Sequence, residues 1–496
     1  MDLSQPRIDA WNSDRLPIYE PGLEEIVKPA RDGEDGRPKN LFFSTNVDEA
    51  IKAADLIFVS VNTPTKVSGT GAGFASELSY VESAIRKIAE VAESDKIVVE
   101  KSTVPVRTAD SMREILSSIG KPNVHFEILS NPEFLAEGTA MRDLVTPDRI
   151  LIGSLLTDTG MAAASALANV YAGWVARDRI ITMNLWSSEL AKLAANALLA
   201  QRISSINALS AICEATGADV EEIAFAVGTD TRIGSKMLKS SIGFGGSCFK
   251  KDVLSLTYIS ESLHLPEVAA YWRSVVDINE YQKDRFFKRI ITCLYNSLTN
   301  KKIAILGFAY KKDTGDTRES AAITMVQNLA SERAKIAIYD PKVEERQIWQ
   351  DLTGYSHDAE TIRDYVSVEK DVYAACADAH AIIILTEWDE FSNKAIVPNK
   401  TAPQANGTAK TNGVGNHVNL KERMDWQKIA EKMKRPMFVF DGRNVVDKSA
   451  LEDLGFRVEA IGKPGTNWAL QRQASSSNIP IMRTASGEQS LSTSPK

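Results

Sequence analysis

Along the chain, short apolar runs alternate with longer stretches in which apolar residues recur every three or four positions. The runs begin at Leu41 (LFFST), Asp55 (DLIFVSVNTP), Lys96 (KIVVEKSTVP) and His125 (HFEILSNPEF), with helical patterning from about Glu77 and near Ala109. This is the strand–helix–strand rhythm of a parallel sheet flanked by helices, and such sheets bind ligands at the carboxyl ends of their strands. It predicts a first α/β domain over residues 1–178. From Ser187 to Cys213 neither Gly nor Pro occurs, and Leu190, Leu193, Ala194, Ala197 and Leu198 recur at helical spacing. One long helix follows from that pattern. With further helical segments at Glu221–Val227, Leu254–Leu263 and Ala269–Leu294, residues 179–300 read as a central helical domain. At Lys301 the first rhythm returns, with strands expected in KKIAILGFAY, KIAIYDPKV, AHAIIILTEW and RPMFVFDGRNVV and a helix in TMVQNLASERA. The expected fold is therefore α/β: two dinucleotide-fold-like parallel domains joined by a helical one, the second spanning 301–465. Within it, residues 399–416 are rich in Asn, Thr, Gly and Ala and read as a flexible insertion, and residues 466–496 as a disordered tail.

Charge narrows the partners. Lys and Arg total 58 against 65 acidic residues, a net charge of −7, the wrong sign for neutralising a nucleic-acid backbone. The first residues contain no apolar signal segment, and no stretch is apolar enough for a membrane span. The four cysteines, Cys213, Cys248, Cys293 and Cys376, form no CxxC pair, and the five histidines sit singly. A cytoplasmic protein with no metal site is the expectation.

The densest chemistry lies in Gly243-Phe-Gly-Gly-Ser-Cys-Phe-Lys-Lys-Asp252. Glycines permit close backbone approach, and neighbouring lysines with the amides of a turn entering a helix favour negative charge on a thiol. Most cysteines are small buried hydrophobes, the role assigned to the other three; the setting of Cys248 favours a nucleophile. In Ser130-Asn-Pro-Glu-Phe-Leu-Ala-Glu-Gly138, Glu133 and Glu137 would share a face if the loop turned helical. Surface glutamates are commoner than general bases, so this signal alone is weak. Lys192 and Asn196 lie four apart on an apolar helix. A lysine there either snorkels at the edge or is paired and used, for instance to steady an alkoxide. Gly69-Thr-Gly-Ala-Gly73 lacks the G-x-G-x-x-G spacing and reads as a surface loop. The run after Gly307, with Lys311, Lys312 and Arg318, suits the phosphates of a mononucleotide better than a dinucleotide.

Taken together, SVNTPT, EKSTVPV, SNPEFLAEG, SSELAKLAANA, GFGGSCFKKD, GFAYKKDTGDTRES and FDGR occur in the order found in UDP-glucose 6-dehydrogenases. From about Arg7 to Gly462, apart from the insertions at Asp32–Pro38 and Asn399–Asn416, the chain resembles the UDP-glucose/GDP-mannose dehydrogenase family. The resemblance implies oxidation of the C6 alcohol of UDP-glucose to a carboxylate with two NAD. It implies that Cys248 forms a thiohemiacetal and then a thioester, that Glu133 is the base in hydrolysis, and that Lys192, Asn196, Asp252 and Thr103 serve the alcohol step. The sugar nucleotide would meet Phe134, Leu135, Ala136, Glu137, Lys239, Ser240, Ser241, Ile242, Gly243, Phe244, Gly245, Tyr310, Lys311 and Arg443, with Arg232 reaching in from a neighbouring subunit. NAD would meet Arg7, Val61, Asn62, Thr63, Pro64, Thr65, Thr103, Glu137, Lys251 and Arg318.

The family opens with a strand, a G-x-G-x-x-G turn, a helix and a second strand, and this sequence begins just after that unit. The first domain is expected to be incomplete at its N-terminus, with an exposed strand edge and weakened NAD binding. The alternatives are a non-catalytic UDP-sugar-binding or assembly subunit and a dehydrogenase of another nucleotide sugar. Leu190, Leu193, Leu198, Leu199, Ile203, Ile206 and Leu209 surround the long helix, and this predicts self-association along it as a dimer or an assembly of dimers.

Overall fold

A computed structural model describes residues 1–34, 36, 38–354, 359–394 and 423–465. The expected insertion 399–416 and tail 466–496 lie outside the described residues. Strands buried on both faces need near-continuous β-branched or apolar runs, and such runs build two sheets. The first contains β1 (Leu56–Val59), β2 (Lys96–Glu100), β3 (Phe126–Ser130), β4 (Ile150–Ser154) and β5 (Ile180–Asn184), side by side in that order. All neighbours are parallel except β3 and β4, which meet antiparallel at Ser130 and Gly153. The second sheet contains β6 (Lys302–Leu306), β7 (Lys335–Tyr339), β8 (Val366–Val368), β9 (Ala381–Ile384), β10 (Met437–Asp441) and β11 (Phe456–Ala460). It is parallel throughout, in the order β8-β7-β6-β9-β10-β11. Counted by appearance this is 3-2-1-4-5-6, the dinucleotide-fold order, whose ligand crevice opens where β6 and β9 lie side by side.

Two sequence expectations change and one is met. Leu41–Thr45 is not a strand: Phe42 is exposed and Phe43 stacks on Trp11 with ring centroids 5.0 Å apart. An apolar run becomes a strand only when a neighbour completes its hydrogen-bond ladder, and among the described residues none does. The first sheet continues to Asn184, past the expected boundary at 178, because β5 pairs with β4. β1 pairs with β2 alone and leaves Phe58 43% exposed, so the expected open edge is present among the described residues.

Between the sheets runs the helix Leu185–Thr216, 32 residues long. Asn184 caps its start by accepting from Trp186 and Ser187, and Gly217, at φ +85°, ends it in the left-handed conformation that glycine adopts without strain. Helices Phe249–Ser262 and Pro266–Cys293 pack against it. Of the apolar residues expected to surround it, Leu193 and Ile206 are buried, whereas Leu190, Leu198, Leu199 and Leu209 are exposed. At its far end Glu214 binds Arg285 and Arg289, and Arg289 also binds Glu459 of β11, so a buried ion cluster moors the second sheet to the helices. No helix among the described residues is long and apolar enough to cross a membrane.

Candidate active site

The segment 239–248 crosses between the helices and the second sheet, and each stretch of its backbone is held by a buried amide or carbonyl. Ser241 N–H donates to Asn207 of the long helix at 2.9 Å, and its carbonyl accepts from Gln282 at 2.8 Å. Ile242 N–H donates to the Gly442 carbonyl at 2.8 Å, and Asn444 donates to the Ser240 hydroxyl at 3.0 Å. Asn279, 1% exposed, accepts from Phe244 N–H at 2.8 Å and donates to the Phe244 carbonyl at 3.1 Å, as a strand neighbour would. Two glycines are required. A Cβ on Gly243 (φ +134°) would stand 2.7 Å from Asn279 Oδ1, and one on Gly246 (φ +84°) would stand 2.9 Å from the Tyr310 ring. The loop delivers Cys248 to the N-terminus of the helix Phe249–Ser262.

Around this thiol the charges differ from the sequence expectation. Lys250 pairs with Glu319 at 2.8 Å and Lys251 with Asp252 at 2.6 Å, so both lysines are neutralised by carboxylates. Arg318 interacts with Cys248, and it also binds Asp316 at 2.6 Å and Glu137 at 3.4 Å. Asp252, fully buried, accepts from Asn196 at 2.5 Å. One turn earlier on the long helix, Lys192 is 4% exposed and donates to the Glu133 carbonyl at 2.5 Å and to its carboxylate at 3.1 Å. The lysine is paired, and it does not snorkel.

Glu133 and Glu137 do not share a helical face, because the chain from Asn131 to Ala136 is irregular and a helix begins only at Ala140. Pro132 removes a backbone donor and Gly138 sits at φ +81°, both of which work against a helix. Glu133 therefore faces Lys192, and Glu137 faces Arg318 and the Tyr310 hydroxyl. Burial, together with nearby Asp316, pushes the Glu137 carboxyl above its usual range, and burial beside Glu137 pushes the Tyr310 phenol up. Phe134 lies under the Arg149 guanidinium at 4.0 Å and near Lys192 at 5.2 Å, while Leu135 and Ala136 are exposed. Arg443 donates to the Leu385 carbonyl at 2.7 Å and to that of Tyr310, joining the loops after β6 and β9 at the crevice of the second sheet. The Lys311 ammonium stands over the Tyr310 ring at 5.5 Å, and Lys239 is exposed beside Ser240. Arg232 does not join this cluster; it is exposed and turns to Asp230 at 2.6 Å.

At the carboxyl ends of β1 and β2 the loops Val61–Thr65 and Ser102–Thr103 are knitted together. Ser102 accepts from Val61 N–H at 2.8 Å and donates to the Val61 carbonyl at 2.7 Å, and Thr63 donates to the Thr103 carbonyl at 2.7 Å. Asn62, Pro64 and Thr65 lie on the first of these loops; Lys251 pairs with Asp252 on the helix Phe249–Ser262, and Glu137, in the loop after β3, pairs with Arg318 of the second domain. Arg7 stands apart on the helix Gln5–Trp11, 3.8 Å from Asp2.

Several residues at the site carried no motif-level signal. Asn279, Gln282 and Asn207 were hidden because polar residues inside amphipathic helices look like surface positions. The Ser-Thr-rich EKSTVPV run drew attention to Thr103 but not to Lys101, whose ammonium interacts with Glu133 and Lys192. The other cysteines behave as expected: burial pushes Cys293 up to about 11 and Cys376 up to about 12, and raises Cys213. Gly69–Gly73 is a turn, not a phosphate loop. Among the described residues no group of His, Cys, Asp or Glu is arranged to hold a metal.

Comparison with known proteins gives the family. Three profiles of the UDP-glucose/GDP-mannose dehydrogenase family match the chain: the NAD binding domain at residues 1–175, the central domain at 186–281 and the UDP binding domain at 304–407. UDP-glucose 6-dehydrogenase 3 of Arabidopsis thaliana is 54% identical over 478 residues, which cover 94% of this chain and 92% of the plant protein. The UDP-glucose 6-dehydrogenase of Drosophila melanogaster is 54% identical over 465 residues, covering 93% and 90%. Among solved structures, a UDP-glucose dehydrogenase from the archaeon Pyrobaculum islandicum superposes with a TM-score of 0.74 at 28% identity, covering 94% of this chain and 91% of its own. With a matching domain order, relatives at 54% identity along nearly the whole length and a shared fold, the chain belongs to the UDP-glucose/GDP-mannose dehydrogenase family.

Proposed function

We propose that this chain catalyses the NAD-dependent, four-electron oxidation of UDP-glucose to UDP-glucuronate through a covalent intermediate on Cys248. The observation that carries the reading is a chain of contacts between the two sheets. Cys248 caps the helix whose first turn holds Asp252; Asp252 binds Asn196; and one turn away Lys192 grips Glu133. A nucleophile, an ammonium, a carboxylate base and a buried amide–carboxylate pair are what acyl-level oxidation without aldehyde release requires.

When bound, NAD accepts the hydride removed from C6 at each oxidation. In the first, the C6 hydroxyl loses its proton towards the Asn196–Asp252 side while the Lys192 ammonium steadies the developing alkoxide, and Thr103 positions the hydroxyl. The Cys248 sulfur then adds to the aldehyde carbon, and the thiohemiacetal oxygen stands where Lys192 can stabilise it. After the second oxidation the acyl group remains on sulfur as a thioester. Glu133 takes a proton from water, whose oxygen attacks the acyl carbon; the C–S bond breaks, and carboxylate and free thiol are restored. The second sheet holds the uridine and phosphates through Tyr310, Lys311 and Arg443, with segment 239–245 and residues 134–137 closing around the sugar. Arg232, turned away from its own site, completes the site of a second copy in a dimer or assembly of dimers.

Cys248→Ser is the test. Purified chain given UDP-glucose and NAD should form UDP-glucuronate, and the serine variant should form none; turnover near wild type would remove Cys248 from the mechanism.

A further inference from the structure

Lys101 is the first residue beyond β2, two positions before Thr103, and it projects opposite to Glu100, which turns towards Glu189. Its ammonium, partly buried, donates to Asn131 Oδ1 at 3.1 Å and to the Tyr171 hydroxyl oxygen at 3.2 Å. Tyr171 in turn donates to the same Asn131 oxygen at 2.6 Å, and Asn131 donates to the Leu151 carbonyl of β4 at 2.7 Å. Asn131 is fully buried and lies two residues before Glu133. The charged or titratable groups around Lys101 are Glu133 from the loop after β3, Lys192 from the long helix and Tyr171 from the helix Asp158–Tyr171. A lysine has no reason to be drawn into such a place for packing alone, because its desolvation is costly.

We propose that Lys101 is a positioning residue for the reaction, tying the loop that bears Thr103 to the loop that bears Glu133 through Asn131 and Tyr171, and supplying the second cation that flanks Glu133. This rests on the role of Glu133 given under Proposed function. The carboxylate then feels two ammoniums, Lys192 in direct contact and Lys101 from beyond contact distance. Neutralising Lys101 removes the more distant of the two cations and weakens its bonds to Asn131 and Tyr171. Desolvation, with the repulsion of Lys192 added and the attraction of Glu133 opposing, pulls Lys101 down to about 8, so its charge is lost within the range where the enzyme can be assayed. Above that value the loop loses its charged clamp.

The experiment compares wild type with Lys101→Met and Lys101→Arg. For wild type, kcat should fall on the alkaline side with a midpoint near the Lys101 value. Lys101→Met should lower kcat about tenfold or more with the KM for UDP-glucose within about threefold, and should abolish that alkaline limb. Lys101→Arg, charged throughout, should recover part of kcat and move the limb out of range. Hydrogen exchange read by mass spectrometry gives a readout independent of turnover: Lys101→Met should speed exchange in 131–138 and 101–107 and leave β2 and β3 protected. Unchanged kcat, pH profile and exchange in Lys101→Met would overturn the proposal, and so would equal losses in Met and Arg variants. An inactive wild-type chain would instead count against the proposed function, and the exchange data would then decide Lys101 by themselves.

Discussion

Replacing Asn279 with alanine isolates the cost of holding the nucleophile loop. The side chain is 1% exposed and satisfies both backbone groups of Phe244, itself 6% exposed, so its removal leaves one N–H and one C=O buried without partners. Each orphaned group costs about 1–3 kcal/mol, which places the penalty on the bound-competent loop at about 2–6 kcal/mol. Water entering the vacated space would recover part of this, so the lower half of the range is the working figure. About 3 kcal/mol spent on the loop alone corresponds to roughly a hundredfold change in its equilibrium, and weak UDP-glucose binding should follow as the competent fraction falls. Titration calorimetry with UDP-glucose measures the affinity, and hydrogen exchange of the 241–248 segment reports the opening directly. The helix Pro266–Cys293 should keep its protection, since alanine favours a helix interior. Affinity within about twofold of wild type, with unaltered exchange in 241–248, would refute the claim that this amide sets the loop.

Two further outcomes follow from buried and exposed charges. Burial, followed by repulsion from Glu189, holds Glu100 neutral well above the ordinary carboxylate range, while Glu189 accepts from Arg107 and Ala109 N–H at 2.6 and 2.8 Å. A carboxyl group raised in the folded state stabilises the fold below its unfolded value and ceases to do so as pH rises through the raised one. Thermal melting of wild type should therefore lose ground as pH rises above the ordinary carboxylate range, and Glu100→Gln should flatten that slope; parallel curves would contradict the assignment. Arg232→Ala should weaken UDP-glucose binding while the chain stays folded and assembled by sedimentation, and a stable, active wild-type monomer at micromolar concentration would exclude the shared site.

Much of this organisation was legible in the chain because close-packed parallel strands need uninterrupted apolar runs, as in AIII of β9 or KIAIY of β7. Where strands bear charges or lie at an edge the signal failed: β11 reads FRVEA and β8 only VSV, and both owe their state to a neighbour's ladder. Leu41–Thr45 failed in the opposite direction, being apolar enough for a strand but lacking a partner. The motif residues Cys248, Lys192, Asn196, Asp252 and Glu133 were readable because polar groups amid glycine or apolar surroundings stand out. Their pairings were not: sequence spacing suggested Lys250 and Lys251 beside the thiol and Glu133 beside Glu137, whereas tertiary packing joins Lys250 to Glu319 and Glu133 to Lys192, and Lys251 turns to its sequence neighbour Asp252. Lys101, Asn207 and Asn279 lie outside the reach of pattern altogether, since what distinguishes them is which backbone or side chain meets them across the fold.

The stitching of segment 239–248 has a kinetic consequence. Bonds to Asn207, Gln282, Asn279, Gly442 and Asn444 fix it to the long helix, the second helix and the second sheet at once. The first sheet shares the start of the long helix, which runs on from β5, and its loops reach the same site through side-chain grips such as Glu133–Lys192 and Glu137–Arg318. On the proposed covalent route a four-electron oxidation consumes two dinucleotides in succession, so one spent carrier would depart and a fresh one arrive while the half-oxidised sugar is tethered to sulfur. On that route, a nucleophile anchored to the second sheet and the helices would let the exchange proceed at the first sheet while the adduct stays in place.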